Sequence, residues 1–287
     1  MFSFALQPSI SYDGLTVKII PDNDASLAAY ATPVDNFTGD RVVIYGTPAP
    51  GGLVQGSTWL PAVTKVDGAY GTRWSSRLAV HNPSDLTSNL SFSLHVPNTD
   101  NSLAPTVTRA LEPKQTLLVG DVVGELLGMA KGNYGALQVE WSSPDGTPPV
   151  FSSQTSTPSG QGQGTYGLQV DAINMSDTSK DLHITGVRQD QRFRTNIGFA
   201  NPIATEVTLN CALRAAAGPV LETATRTMQP LDYFQVSLSS LFQGVSFPGS
   251  EVMSLEISAS SALFAYGTLI DNNTQDPTYL PAEPTAD

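Results

Sequence analysis

The sequence predicts an all-β protein: two tandem antiparallel β-sandwich domains preceded by part of a third. Three observations predict it. Apolar and polar residues alternate with a period of two over many short segments, which is the pattern of half-buried strands. The 21 prolines and 24 glycines are spread along the 287 residues, as turns between such strands require. Finally, the chain resembles itself at a spacing of about 118 residues.

The elements follow in order. Leu15 to Ile19 alternates as a strand. Trp74, Ser76, Leu78 and Val80 share one face of the next clear strand, which Asn82-Pro83 ends because proline cannot donate to a ladder. Leu90 to Val96 and Ala136 to Trp141 alternate equally well. Between them, Asp121 is placed to N-cap a short helix over Val122 to Leu127. In the second half, Phe193, Thr195, Ile197 and Phe199 alternate with Arg194, Asn196, Gly198 and Ala200, and Asn201-Pro202 ends that strand. Val207, Leu209, Cys211 and Leu213 share a face, Leu238 to Phe242 is the shorter counterpart of the Asp121 helix, and Val252 to Ile257 is a further strand. The absence of crossover helices excludes a parallel α/β sheet, so the strands form antiparallel sandwiches.

The internal repeat sets the domains. Ala79 to Pro83 matches Gly198 to Pro202 at an offset of 119, and Thr108 to Pro113 matches Thr225 to Pro230 at 117. Leu27 to Asp40 matches Leu263 to Asp276 at 236, with eight of fourteen positions identical. Residues 1–50 therefore read as the terminal strands of a preceding sandwich (strands expected at 15–20, 27–34 and 41–46), 57–175 as the first full repeat and 182–285 as the second. Pro158 to Gly164 is a flexible loop at the place where the first repeat should carry its own Asp-Asn motif.

Arg192-Phe193-Arg194-Thr195-Asn196-Ile197-Gly198-Phe199-Ala200-Asn201, together with Ala265 to Pro277, resembles a repeat of large secreted bacterial proteins whose signature runs Arg-Thr-Asn-Leu-Gly and then Tyr-x-Ser-x-x-Asp-Asn-x-Thr-Gly-Asp-Pro. The resemblance covers the second repeat and Ala29 to Asp40 well. It covers the first repeat loosely, with Arg77 in the place of Asn196. It implies an immunoglobulin-like (Ig-like) sandwich in an extracellular setting and carries no settled activity.

Composition narrows the function classes. A net charge of −12 disfavours nucleic acid, which needs a basic stripe, and disfavours anionic lipid. No run approaches the 18 or so consecutive apolar residues of a membrane span. The single cysteine excludes an internal disulfide and a cysteine-rich metal site, and Cys211 reads as a buried inert thiol. Met1 to Leu6 lacks the basic and apolar regions of a signal peptide. The chain is then either cytoplasmic or a piece of a longer secreted precursor, and the repeats favour the second.

Candidate sites are few. Asp35, Asn36 and Asp40, and their equivalents Asp271, Asn272 and Asp276, set several hard oxygen donors on one turn, which suits Ca²⁺. The spacing is not that of an EF-hand loop, and Asp and Asn side chains also close turns by bonding their own backbone. Trp59 and Trp141 are candidates for stacking on glycans, while Trp74 matches the core position of Phe193, and Trp59 is alternatively placed to seal the joint between repeats. His81, His95 and His183 share no metal-ligand spacing. No Gly-x-Ser-x-Gly elbow is present, so no catalytic set is assigned. Arg194 and Asn196 read as hydrogen-bonding to adjacent strands or the neighbouring repeat. The expectation is a non-enzymatic structural or adhesive module of the bacterial cell surface, without a cofactor unless calcium binds, and with other surface proteins, neighbouring repeats or glycans as partners. The alternative is a carbohydrate-binding module attached to a secreted hydrolase.

Overall fold

The computed structural model describes residues 17, 19, 29–35, 38, 40, 41, 44, 45, 55–159, 163–247, 249 and 251–285. The protein is all-β and its sheets are antiparallel, packed as sandwiches. A short hairpin, β1 (Tyr30–Ala31) and β2 (Ile44–Tyr45), comes first. The strand expected at 27–34 is limited to Tyr30–Ala31 with an isolated bridge from Val34 to Arg41, the one expected at 41–46 is seen at Ile44–Tyr45, and most of 15–20 lies outside the described residues.

Nine strands follow as one unit: β3 (Gln55–Asp67), β4 (Arg73–His81), β5 (Ser88–His95), β6 (Thr106–Leu111), β7 (Thr116–Val119), β8 (Tyr134–Ser142), β9 (Val150–Pro158), β10 (Thr165–Val170) and β11 (Ile173–Asn174). Strand β3 passes from one sheet to the other. Its first residues pair with β8 and its last three with β4. A wide layer β11-β3-β8-β5-β6 therefore faces a narrow layer β10-β9-β4-β7. Leu60, Leu78, Val80, Leu90, Phe92, Leu137 and Val139 fill the space between them.

The remaining strands are β12 (Ser179–Val187), β13 (Phe193–Ala200), β14 (Val207–Arg214), β15 (Val220–Met228), β16 (Tyr233–Ser237), β17 (Met253–Asp271), β18 (Pro277–Pro281) and β19 (Glu283–Pro284), with helix α1 (Leu238–Leu241) after β16. Here a single 19-residue strand, β17, serves both layers: its first part pairs with β12 and β14 and its second with β13 and β18. The layers are β19-β12-β17-β14-β15 and β18-β17-β13-β16, the same order as in the first unit, and Ile184, Ile197, Phe199, Leu209, Cys211, Leu255 and Ile257 form the core between them. Among the described residues no helix is long and apolar enough to cross a membrane.

Local chemistry explains the irregular pieces. Asp121 caps the turn of π-helix Val122–Leu126 by accepting from the Gly124 N–H at 2.8 Å, and Val122, Val123 and Leu126 plug the first core. Ser237 caps α1 by accepting from Ser240 N–H. The buried asparagines of the two Asn-Pro pairs tie strand ends to the next turn. Asn82 Nδ2 donates to the carbonyls of Leu86, Leu111 and Glu112, and Asn201 Nδ2 to those of Thr205 and Gln229.

One expectation changes. Phe193 and Trp74 are half-buried rather than core. They sit where their strands leave the sandwich, and the guanidinium groups of Arg188 and Arg192 cover the Phe193 ring at 4.1 and 5.0 Å.

Candidate functional site

Two regions gather the residues singled out from the sequence: the joint between the units and the paired Asp-Asn-x-Thr-x-Asp turns. Trp59 is fully buried in the joint. Its ring lies 4.7 Å from His95 of its own unit and 5.6 Å from Phe264 of the second, beside Ala136, Ala200, Tyr233 and Tyr266. His95 is also buried. Its Nδ1 donates to the Leu231 carbonyl across the joint at 2.9 Å, and its Nε2 lies 3.0 Å from Gln138 Oε1. Burial lowers the affinity of this imidazole for a proton.

The segment after β5 completes the clamp. Asn98 N–H donates to the Tyr233 carbonyl, Thr99 N–H to Asp232 Oδ1, and Asn101 Nδ2 to the Leu231 carbonyl. Below this contact, the phenols of Tyr233 and Tyr266 are 2.6 Å apart and each reaches Gln235 Oε1 at 3.0 Å. Tyr266 lies flat on Gly198, where a Cβ would run into its ring, which explains the glycine of the Arg-Thr-Asn-Ile-Gly run.

Trp141 does not offer a face to solvent either. It is 7 % exposed and belongs to the first core, its Nε1 donating to Thr58 Oγ1 at 3.3 Å. Gly56 makes room for it, since a Cβ there would stand 2.5 Å from Cζ2. Stacking on glycans by Trp59 and Trp141 is therefore corrected: both rings are consumed by packing.

The two acidic turns share one geometry. Asp35 N–H donates to the Asp40 carbonyl at 2.9 Å, and Asp271 N–H to that of Asp276 at 3.1 Å. Thr38 N–H donates to Asp35 Oδ1 at 3.1 Å, and Thr274 N–H to Asp271 Oδ1 at 3.3 Å. Asp40 and Asp276 N–H each donate to the threonine hydroxyl two residues before, both at 3.2 Å. The flanking pairs agree as well: Tyr30 faces Tyr45 and Val34 faces Arg41, as Tyr266 faces Pro281 and Ile270 faces Pro277. Asn36 lies outside the described residues.

Their outward contacts differ. Asp35 Oδ2 accepts from the Thr165 N–H at 2.9 Å, Asp40 Oδ2 from the Gly167 N–H at 2.8 Å, and Thr38 Oγ1 donates to the Thr165 carbonyl at 3.0 Å. The first turn thus sits on the rim of β10. In the second turn Asp271 pairs with Arg192, Asn272 Oδ1 and Gln275 Oε1 accept from Arg194, and Asp276 Oδ1 is buried with no hydrogen-bond partner among the described residues. Burial, then the charges of Asp40 and Asp271, push the Asp276 carboxyl up to about 6. Burial raises Asp40 as well, against the opposing Gly167 N–H bond. Arg194 also lies 5.6 Å over the Tyr70 ring of the first unit.

As arranged, these carboxylates chiefly hold backbone. Among the described residues no three His, Cys, Asp or Glu side chains come together in a way that can hold a metal ion. His81 bonds Thr116 on the neighbouring strand, far from His95 in the joint. Cys211 is buried in the second core, and burial pushes its thiol up to about 12. A surface hollow of about 520 Å³ over β12, β14 and β17, lined by Asp181, His183, Asn210, Cys211 and Glu256 among others, takes in neither the acidic turns nor the joint. Compared with known proteins, the sequence matches no family model and no curated protein.

Proposed function

We propose that this chain is a non-enzymatic structural or adhesive module of the bacterial cell surface, made of tandem Ig-like sandwiches and related to the secreted bacterial repeat that its Arg-Thr-Asn-Ile-Gly and Asp-Asn-x-Thr-x-Asp runs resemble. The clamped joint is the observation that carries the reading. A spacer transmits position only if its units hold a fixed angle, and default interfaces between domains are polar and mobile. Here a buried tryptophan, a buried histidine and a set of backbone hydrogen bonds join the two sandwiches. The repetition of the acidic turn at residues 35–40 and 271–276 supports a longer parent of such units.

Antibody labelling of intact source cells against permeabilised ones tests the location. Labelling that needs permeabilisation overturns the surface reading. Small-angle scattering of the purified chain tests the spacer role: a single rigid envelope is expected, and a distribution of inter-unit angles sinks it.

A further inference from the structure

A second cleft, of about 400 Å³, opens where the two units meet. That volume falls in the range of about 300–1,000 Å³ typical of small-molecule sites. Its floor belongs to the joint: Ile173 of β11, Phe264 of β17 and Tyr279 of β18 all pack in the cluster around Trp59. Asp171, Asp177 and Glu283 stand in its walls, and no lysine, arginine or histidine among the described residues lines it.

The three carboxylates differ in what they hold. Asp177 spends its oxygens on the Asn174 N–H at 3.0 Å and the Ser176 hydroxyl at 3.1 Å. Asp171 is half-buried yet forms no hydrogen bond or ion pair with a described residue, and burial raises its carboxyl. Glu283 is exposed and likewise unpaired among the described residues. Tyr279 stacks on Tyr266 with ring centroids 5.9 Å apart, and its hydroxyl makes no hydrogen bond to a described residue. Burial, then the charges of Asp171 and Glu283, raise this phenol, so both carboxylates act on the same hydroxyl.

A half-buried carboxylate without a partner is costly, and a cation that donates hydrogen bonds to it offsets that cost. No set of described side chains here can hold a metal ion. An ammonium fits instead. Its three N–H donors suit the Asp171 carboxylate and the Tyr279 hydroxyl oxygen together, and an aliphatic chain behind it covers Ile173 and Phe264. A second ammonium on that chain complements the exposed Glu283. We infer that this cleft binds a small aliphatic diamine, with Asp171 as its principal anchor and Glu283 as the second.

Titration of the full chain with pentane-1,5-diamine tests the assignment, followed by calorimetry and by the methyl NMR signal of Ile173. Salt at about 0.15 M screens general attraction to the acidic surface. Saturable binding is expected with a Kd of about 1 mM or tighter, and the Ile173 signal should move with the same midpoint. Asp171→Asn should weaken binding at least about tenfold and Glu283→Gln about threefold. The uncharged pentan-1-ol should bind at least about tenfold more weakly than the diamine. Asp85→Asn, which removes an exposed carboxylate of the first unit, should change nothing. The inference is overturned if binding does not saturate, if Ile173 does not respond, if pentan-1-ol binds as tightly, or if either cleft variant binds as tightly as Asp85→Asn. Glu283→Gln alters only an exposed side chain and decides the matter should Asp171→Asn fold poorly.

Discussion

Asn82 and Asn201, 119 positions apart, share four hydrogen bonds. Each amide nitrogen donates to carbonyls four residues ahead and in the next hairpin turn, each Oδ1 accepts from the backbone N–H two residues on, and each backbone N–H reaches a turn carbonyl, Gln115 or Asp232. Both side chains are fully buried. Alanine at either position strands several buried carbonyls, and we expect a loss of about 3 kcal/mol. Urea titration should show a lower midpoint with an unchanged slope.

Trp59→Ala empties the centre of the joint, with an expected cost of about 3–5 kcal/mol. Because Trp59 is shared between the units rather than central to either core, calorimetry should resolve two transitions where the wild type gives one. A single transition at a reduced midpoint would show that the units remain coupled without it.

Gly198→Ala drives a methyl into the Tyr266 ring and should cost about 2 kcal/mol, with near-ultraviolet dichroism changed by the displaced tyrosine pair. Gly198→Ala combined with Tyr266→Phe still clashes, so it should not recover stability; recovery would mean that the phenol pair, not the ring, limits the site.

The Asp276 carboxyl titrates at about 6, above its usual value near 3.8. Between those two values the folded state holds a proton that the unfolded chain has released, so stability is higher near pH 5 and falls as pH rises through 6. The unfolding midpoint should therefore drop between pH 5 and pH 7. Asp276→Asn should flatten that dependence and raise the midpoint at pH 7; an unchanged profile would place the titration elsewhere.

Calcium offers a further check on the acidic turns. Asp35 and Asp40 spend oxygens on the amides of Thr38, Thr165 and Gly167, and a cation would have to displace those donors. Thermal unfolding in millimolar Ca²⁺ should match that in EDTA. A rise of several degrees, lost in Asp271→Ala, would establish a site.

Strand-forming segments were legible because alternation is local: Trp74 to Val80, Leu90 to Val96 and Phe193 to Phe199 each declare a buried face within eight residues. The Asp121 cap was legible for the same reason. What stayed hidden is non-local. Trp141 is buried because Gly56 lies opposite, 85 positions earlier, and nothing near Trp141 signals it. Phe193 looked like core because period-two counting carries no information about where a strand leaves its sandwich. The acidic turn was visible as a turn, yet its seat on β10 joins residues 130 apart, and the motif itself does not name its partner. The first repeat's lack of its own acidic turn was the nearest hint.

The one thiol of the chain sits in the core of the second unit, protonated and out of reach. Iodoacetamide or a disulfide reagent can meet it only when that sandwich opens. Alkylation of the native protein therefore works as a clock for one half of the molecule, ticking with the second unit's excursions and silent about the first. Run beside Trp59→Ala, it would measure how far each sandwich restrains the breathing of its neighbour.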